Sequence, residues 1–593
     1  MHSKFMLLLV IFTLLLLPIS FAQLNPKSIS DIEVKIIKSG TISVTGLVDT
    51  LNLSLYIPQQ GINSISVYAD SWNYKQDAFG NKMVVLNWKN PHSLLEYKIE
   101  MIVENSAKQL NIKKPISEDP QYLKETESIV FDDAIRKFAY PYEKTLDKAA
   151  ELTIAVHDMM EYDKAMAGEN KPSTWVMTNK RGVCVEYTNL LAALLRVSGI
   201  PARYVVGYAY SSLDNKFTGH SWVEVPIINT DKNDVRSTSG MISFDPTWLQ
   251  GGYVDATHIK TATLLDNNQT EVLYYIGRGN AVWNKNEDIV DIIDYTARNI
   301  TDISLYSEDF AENSGGYLKA EITSDECTIT DLTANSCIDS DENKMLNIYE
   351  NEREIWFCNQ ADIYWVFDIA ESKNSYSCPV IVYDQTGSEA SKNIRIIGNE
   401  QTSKIFISCP DSAGINEPFT LNAATDKDFI FFSPKFGKSN SKSWELTANI
   451  PGSYNFYLYS DNAIAKKTVN VIEKKEFSLY VDAPSNVTIG TFLINITATN
   501  LLNENKKATI RAEFSNQVHE ATLSFLPKET KNILFNLTAT EPGTKAITAS
   551  VMSDSISSYT DSIIVNNPSS FGFLDALIAF FKSIVDAITK LFR

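Results

Sequence analysis

The chain has 593 residues, 44% hydrophobic and 11% aromatic, an ordinary globular composition with length for roughly four domains of about 150 residues. A net charge of −19 repels phosphate backbones and speaks against nucleic-acid binding. Six histidines without an HExxH pair exclude that kind of zinc hydrolase, and six cysteines are too few for a disulfide-built scaffold.

Residues 1–22 read as a secretory signal. Lys4 precedes the apolar run Phe5–Leu17, Pro18 breaks it, and Ser20 and Ala22 supply the small residues of a cleavage site. As a helix this run reaches about 20 Å, short of a hydrocarbon core of about 30 Å. The other reading is an uncleaved anchor extended through Phe21. Both place the rest of the chain outside the cytoplasm, secreted or at the cell surface.

Residues 23–125 are expected to form an N-terminal β domain. IEVKIIKSG, TISVTGLV, LNLSLYI and SISVYAD are rich in β-branched residues that alternate with period two. The segment 126–295 opens helically. In TLDKAAELTIAVHDMMEYD the apolar residues recur at mostly helical spacing, with His157 on a partly exposed face.

Within that segment, RGVCVEYTNLLAALLRVSGIPARYVVGYAY carries the most information. The spacing predicts a helix over 184–197, buried through Leu190, Leu191, Leu194 and Leu195. Gly199 suits the left-handed end of that helix, and Pro201 prevents its continuation. A buried strand follows at 203–208. Cys184 therefore opens a buried helix, where unpaired N–H groups and the helix dipole favour a thiolate and can hold an oxyanion. Next, GHSWVEVPI alternates as a strand with His220, Trp222 and Glu224 on one face. ISFDPTW then ends a strand at Asp245, placed to accept an imidazole N–H. Trp222 reads as core packing rather than as a wall of an acyl site. Glu224 reads as an ion-pair partner, with Arg203 as the suggested mate, and His258 and Asp255 read as structural. The near-P-loop Gly437-Lys438-Ser439 lacks the required glycine, which is Phe432, and no G-x-S-x-G elbow exists.

The remaining chain returns to short strands. It divides into a cysteine-containing β domain (296–395) and two β-sandwich domains (396–475 and 476–566). Export permits disulfides, and Cys327 with Cys337 and Cys358 with Cys378 are the plausible local pairs. Spacing alone leaves the pairing open, with Cys409 left over. Six N-x-S/T sites, at Asn52, Asn268, Asn299, Asn486, Asn495 and Asn536, are glycan acceptors if the host modifies them. Residues 567–593 predict an amphipathic helix. Its charged residues gather on a narrow stripe and its apolar face is too wide to leave in water. Membrane association is favoured over docking on the protein's own body or self-association.

GVCVEYTNLLAALLRVSGIPARYVVGY, HSWVEV and FDPTW together resemble the transglutaminase-like superfamily. The resemblance covers roughly 140–265. It implies a multidomain α+β chain: a papain-like transglutaminase core preceded by a β domain and followed by β-sandwich (Ig-like) domains. It further implies Cys184 as nucleophile, His220 as base and Asp245 as orienting acid, with Ser221 standing where the family usually has Ala. Trp175 and Asn179 are candidates only for an oxyanion donor.

The expected activity is cysteine acyl transfer on peptide or carboxamide bonds, with hydrolysis favoured over crosslinking through an amine. No cofactor or metal is expected, and calcium dependence is left open. The expected partners are a protein or peptide substrate, such as a cell-envelope polypeptide, and a membrane met through the C-terminal helix. A different class of reading is an inactive cell-surface binding or scaffold protein built on the sandwich domains.

Overall fold

The computed structural model describes residues 24–567 apart from 92, 108–109, 112, 229–239, 269–270, 312–313, 339–343, 370–374, 398–404, 416, 426, 449–450, 461–462, 473–475, 516 and 554–555. The expected signal segment and residues 568–593 of the expected tail helix lie outside the described residues. Among the described residues no helix is long and apolar enough to cross a membrane. The molecule is multidomain and mostly β. It divides into two compact units. Described residues of 1–411, 419–446 and 454–469 form the first, and those of 412–418, 447–453 and 470–593 the second.

Period-two alternation at the N-terminus becomes β1 (Ile29–Thr45), β2 (Val48–Tyr56), β3 (Ile62–Tyr68), β4 (Ser71–Gln76), β5 (Lys82–Lys89) and β6 (Leu94–Ser106). β1 and β6 pair antiparallel from Asp31↔Ser106 to Ser43↔Leu94. Ile32, Val34, Ile36, Leu51, Leu53, Leu55, Ile99 and Met101 are buried in one cluster between the two sheets. This sandwich is closed by strands far along the chain, described below.

Four helices follow: α1 (Asp133–Ala139), α2 (Leu146–Met159), α3 (Ser173–Asn179) and α4 (Cys184–Val197). Asp132 caps α1 by accepting the Ile135 N–H at 2.9 Å, and Thr145 caps α2 by accepting that of Lys148 at 3.1 Å. The short parallel strands β7 (Glu161–Tyr162) and β8 (Arg181–Gly182) precede and follow α3. α4 is central. Leu190, Leu191, Leu194 and Leu195 are all fully buried, as the spacing predicts, and Gly199 ends the helix with φ +79°.

α4 packs against an antiparallel sheet of β9 (Arg203–Ser211), β10 (Lys216–Pro226), β11 (Met241–Asp245), β12 (Gln250–Gly252) and β13 (Ile259–Leu264), in the order β13-β9-β10-β11-β12. The register sets His220 opposite Gly207, Val223 opposite Phe244 and Asp245 opposite Gln250. Then come β14 (Val272–Gly277), β15 (Asn280–Lys285) and β16 (Ile289–Ala297). These strands belong in space to the N-terminal sandwich: β14 pairs with β2, and β15 and β16 pair with β1.

Strand Gly315–Asn335 joins the core sheet through Gly252↔Thr328 and pairs along its length with Glu352–Ile369. That pairing corrects the local disulfides suggested by spacing. The bonds are Cys327–Cys358 and Cys337–Cys378, with Cys409 free. The register explains both. Thr328 sits opposite Phe357, so Cys327 and Cys358 meet across the ladder. Asn335 sits opposite Ile381, which leads Cys337 to Cys378 on strand Tyr376–Asp384. Cys337 lies past the end of the strand that carries Cys327, whose rise of about 3.3 Å per residue keeps the two apart, and Cys358 and Cys378 lie on different strands.

In the second unit, residues 477–566 make a three-stranded and a five-stranded sheet. Phe477, Ile494, Ile496, Ile510, Phe514, Phe525, Leu537 and Val551 form the buried layer between them.

Candidate active site

Gly182, Val183 and Glu186 shape the start of α4. The Val183 N–H, just before the helix, donates to the Glu186 carboxylate at 3.0 Å, and the other Glu186 oxygen accepts the Lys171 N–H at 2.9 Å. A Cβ on residue 182 would stand 2.3 Å from the Glu186 Cβ, so only glycine admits this buried carboxylate. Half-buried Cys184 thus sits at the first helical position. The first-turn N–H groups beside it have no acceptor within the helix. Tyr162 lies within electrostatic reach of the same sulfur. Burial, and then Cys184, raise its pKa to about 12, so it stays neutral there. Of the two oxyanion-donor candidates, Asn179 spends an amide hydrogen on the Trp175 carbonyl at 2.8 Å, and Trp175 packs against the core.

His220 projects from β10. Its Nε2 lies 2.9 Å from Asp245 Oδ2, and Cys184 also acts electrostatically on the ring. With Nε2 committed to the carboxylate, Nδ1 is the nitrogen left for sulfur. Burial lowers the histidine pKa, but Asp245 and then Cys184 more than reverse this and raise it to about 10. Burial acts on Asp245 in the opposite sense; His220 and His258 overcome it and hold the carboxyl well below its ordinary range. Its other oxygen accepts the Thr247 N–H at 2.8 Å. Asp245 and Cys184 thus both act on the His220 ring.

Several neighbours escaped that reading. Trp248 stacks on His220 with ring centroids 4.0 Å apart and planes 6° from parallel. Trp222 is buried as expected, and also lines the other side of the histidine at 6.1 Å. His157 reaches from α2, with Nδ1 3.0 Å from the carbonyl of Pro246, the residue after Asp245. Thr188 Oγ1 lies 3.1 Å from Ser221 Oγ, so the serine hydroxyl ties β10 to α4. His258 Nε2 lies 3.1 Å from Asp245 Oδ2, the oxygen that also meets His220. The only available signal was the DATHIK string, which has no recognisable spacing to the other groups. Glu224 does not pair with Arg203: it binds Lys260 at 2.8 and 2.9 Å, while Arg203 binds Asp119. The two residues are cross-strand neighbours, but each finds a closer opposite charge elsewhere.

His220, Asp245 and His258 bring three possible ligand atoms within 4.8 Å of one another. These atoms already satisfy each other through hydrogen bonds, so the cluster is complete as a hydrogen-bonded chain.

Residues 134–246 match the family model of the transglutaminase-like superfamily. This part of the chain is a transglutaminase-like core. No curated protein matches the chain. Among solved structures, a candidate cysteine protease from Cytophaga hutchinsonii is 17% identical, over 45% of this chain and 93% of that one, with TM-score 0.33. Red sea bream transglutaminase is 9% identical over 88% and 92%, with TM-score 0.16. The four N-terminal Ig domains of Dscam1 are 9% identical over 48% and 77%, with TM-score 0.20. The transglutaminase-like core holds the whole Cys184–His220 pair, and Asp245 falls just inside its end.

Proposed function

We propose that the protein is an extracytoplasmic cysteine acyl-transfer enzyme that hydrolyses peptide or carboxamide bonds. One observation carries this reading: a buried imidazole held 2.9 Å from a carboxylate and electrostatically coupled to a half-buried sulfur at a helix start. Cys184 Sγ attacks the carbonyl carbon, and first-turn N–H groups of α4 receive the oxyanion. The C–N bond breaks as His220 delivers its proton to the leaving amine, leaving a thioester on Cys184. Water then gives a proton to His220 and attacks the thioester, releasing the acid and restoring the sulfur. Water is favoured as the acceptor because it is always at hand; an amine in its place gives a crosslinker through the same residues. The expected substrate is a polypeptide of the cell envelope, met where the tail holds the enzyme at the membrane.

The test offers a glutamine-containing protein together with a labelled primary amine. Cleavage without label incorporation, lost at least about a thousandfold in Cys184→Ala, is expected. Incorporation that Cys184→Ala abolishes would assign crosslinking instead. If a thiol-directed electrophile labels Cys184 no faster than a model peptide thiol, the enzyme reading falls and a binding or scaffold role replaces it.

A further inference from the structure

The mechanism uses one histidine, yet two share its carboxylate. We propose that His258 is a positioning residue, an imidazolium clamped between Asp245 and Asp255 that holds the Asp245 carboxylate on His220 and tempers its pull. The inference rests on the Cys184–His220–Asp245 reading and extends it by a second ion pair.

The geometry leaves few alternatives for the protons. Asp245 Oδ2 meets His220 Nε2 at 2.9 Å and His258 Nε2 at 3.1 Å. Both are hydrogen bonds to an ionised carboxylate only if each nitrogen carries hydrogen. On its other side His258 Nδ1 faces Asp255 Oδ1 at 3.4 Å. Asp255 is itself well held. Oδ1 accepts the Thr257 N–H at 2.8 Å and its hydroxyl at 2.6 Å, and Oδ2 accepts the Gln250 amide at 2.7 Å. A neutral His258 would turn a lone pair toward one of two carboxylates. The cation satisfies both.

The surroundings keep that charge local. His258 is 2% exposed, and Trp222 and Trp248 stand edge-on to it at 5.2 and 5.6 Å. The titratable groups facing it are His220 from β10, Asp245 from β11 and Asp255 from its own turn. Half-buried Lys27, from the turn before β1, adds a cation whose charge acts on both carboxylates. Burial disfavours the His258 cation, and Asp255 and then Asp245 overcome it, so its pKa is raised. With His258 charged, Asp245 divides its field between two rings, and the His220 proton stays transferable. The rings stand 5.5 Å apart, close enough for each cation to disfavour the other.

Alkylation of Cys184 by iodoacetamide, followed peptide by peptide across pH in the full chain, tests this without a substrate. The wild type should show a rate step where His220 loses its proton. In His258→Gln, which keeps an N–H donor but no charge, that step should move upward by about one pH unit. Asp255→Asn, which removes the counter-ion, should move it the same way. A fall in rate with the step unmoved in a folded variant would make His258 merely structural and overturn the proposal. Absence of any step in the wild type would instead sink the triad reading. If both variants fail to fold, 15N-histidine NMR of the wild type decides. Protons on both His258 nitrogens at pH 7 support the proposal, and a neutral ring overturns it.

Discussion

At the residue scale, the site depends on how burial and pairing divide one buried ion pair. The folded His220 has its pKa raised to about 10 from 6.5, so its contribution to stability is complete below 6.5 and is lost as pH rises through about 10. Asp245 is lowered from 3.8, so its share is present above that value and fades as pH falls below it. The same contact is counted from both ends: it is complete between about 4 and about 6.5, fades below about 4 and is lost by about 10. Asp245→Asn should therefore lower Tm most near pH 5 and less toward about pH 2 and about pH 10, as melts across that range would record. The same variant should slow turnover by about 10³–10⁴, because it no longer orients the ring or balances the imidazolium. An unchanged pH dependence of Tm would mean that the pair adds nothing to folding.

At the scale of elements, the middle of one strand, two strand ends and one helix start meet. β10 carries His220 and β11 carries Asp245, and β12 turns back so that Gln250 steadies Asp255. Behind them, Cys327 and Ile329 share a buried cluster with Ile242 and Phe244 of β11. The Cys327–Cys358 bond thus braces the strand bearing Asp245, whereas Cys378 of the other bond lies in a separate cluster with Leu332 and Trp365. Replacing Cys327 and Cys358 by Ser should cost about 2–4 kcal/mol in denaturant unfolding and also slow Cys184 alkylation. Replacing Cys337 and Cys378 should cost a similar amount and leave alkylation unchanged. Equal effects of both pairs on Cys184 would refute this division.

At the scale of the whole molecule, the chain does not follow its own order. The N-terminal sandwich takes β14, β15 and β16 from beyond the transglutaminase-like core, so that core is inserted between strands of one sandwich. The second unit buries its own layer of Phe, Ile, Leu and Val between two sheets. The membrane proposal also belongs to this scale. It rests on the sequence of 571–593 alone, in which helical spacing would gather the charged residues on one stripe, the pattern of an interfacial helix. Deletion of 569–593 should move the mature protein into the soluble fraction on cell fractionation. Unchanged membrane association, with the signal cleaved, would count against the tail as anchor.

Local pattern was sufficient wherever the physics is local. Helical spacing, Gly199 and Pro201 bounded α4, and alternation set the face of His220 before any contact was known. The motif strings pointed to Cys184, His220 and Asp245, and in the tertiary structure Asp245 and Cys184 both act on the His220 ring. Pairings between distant segments were not legible. The disulfides, the Glu224–Lys260 ion pair, the closure of the first sandwich by β14–β16 and the second histidine on Asp245 all depend on which strands lie side by side. Strand register is decided by burial summed over a whole sheet, and no short stretch of residues contains that sum. Residue identity alone marks which atoms are capable of chemistry; how many of them share one carboxylate follows from the way distant strands pack.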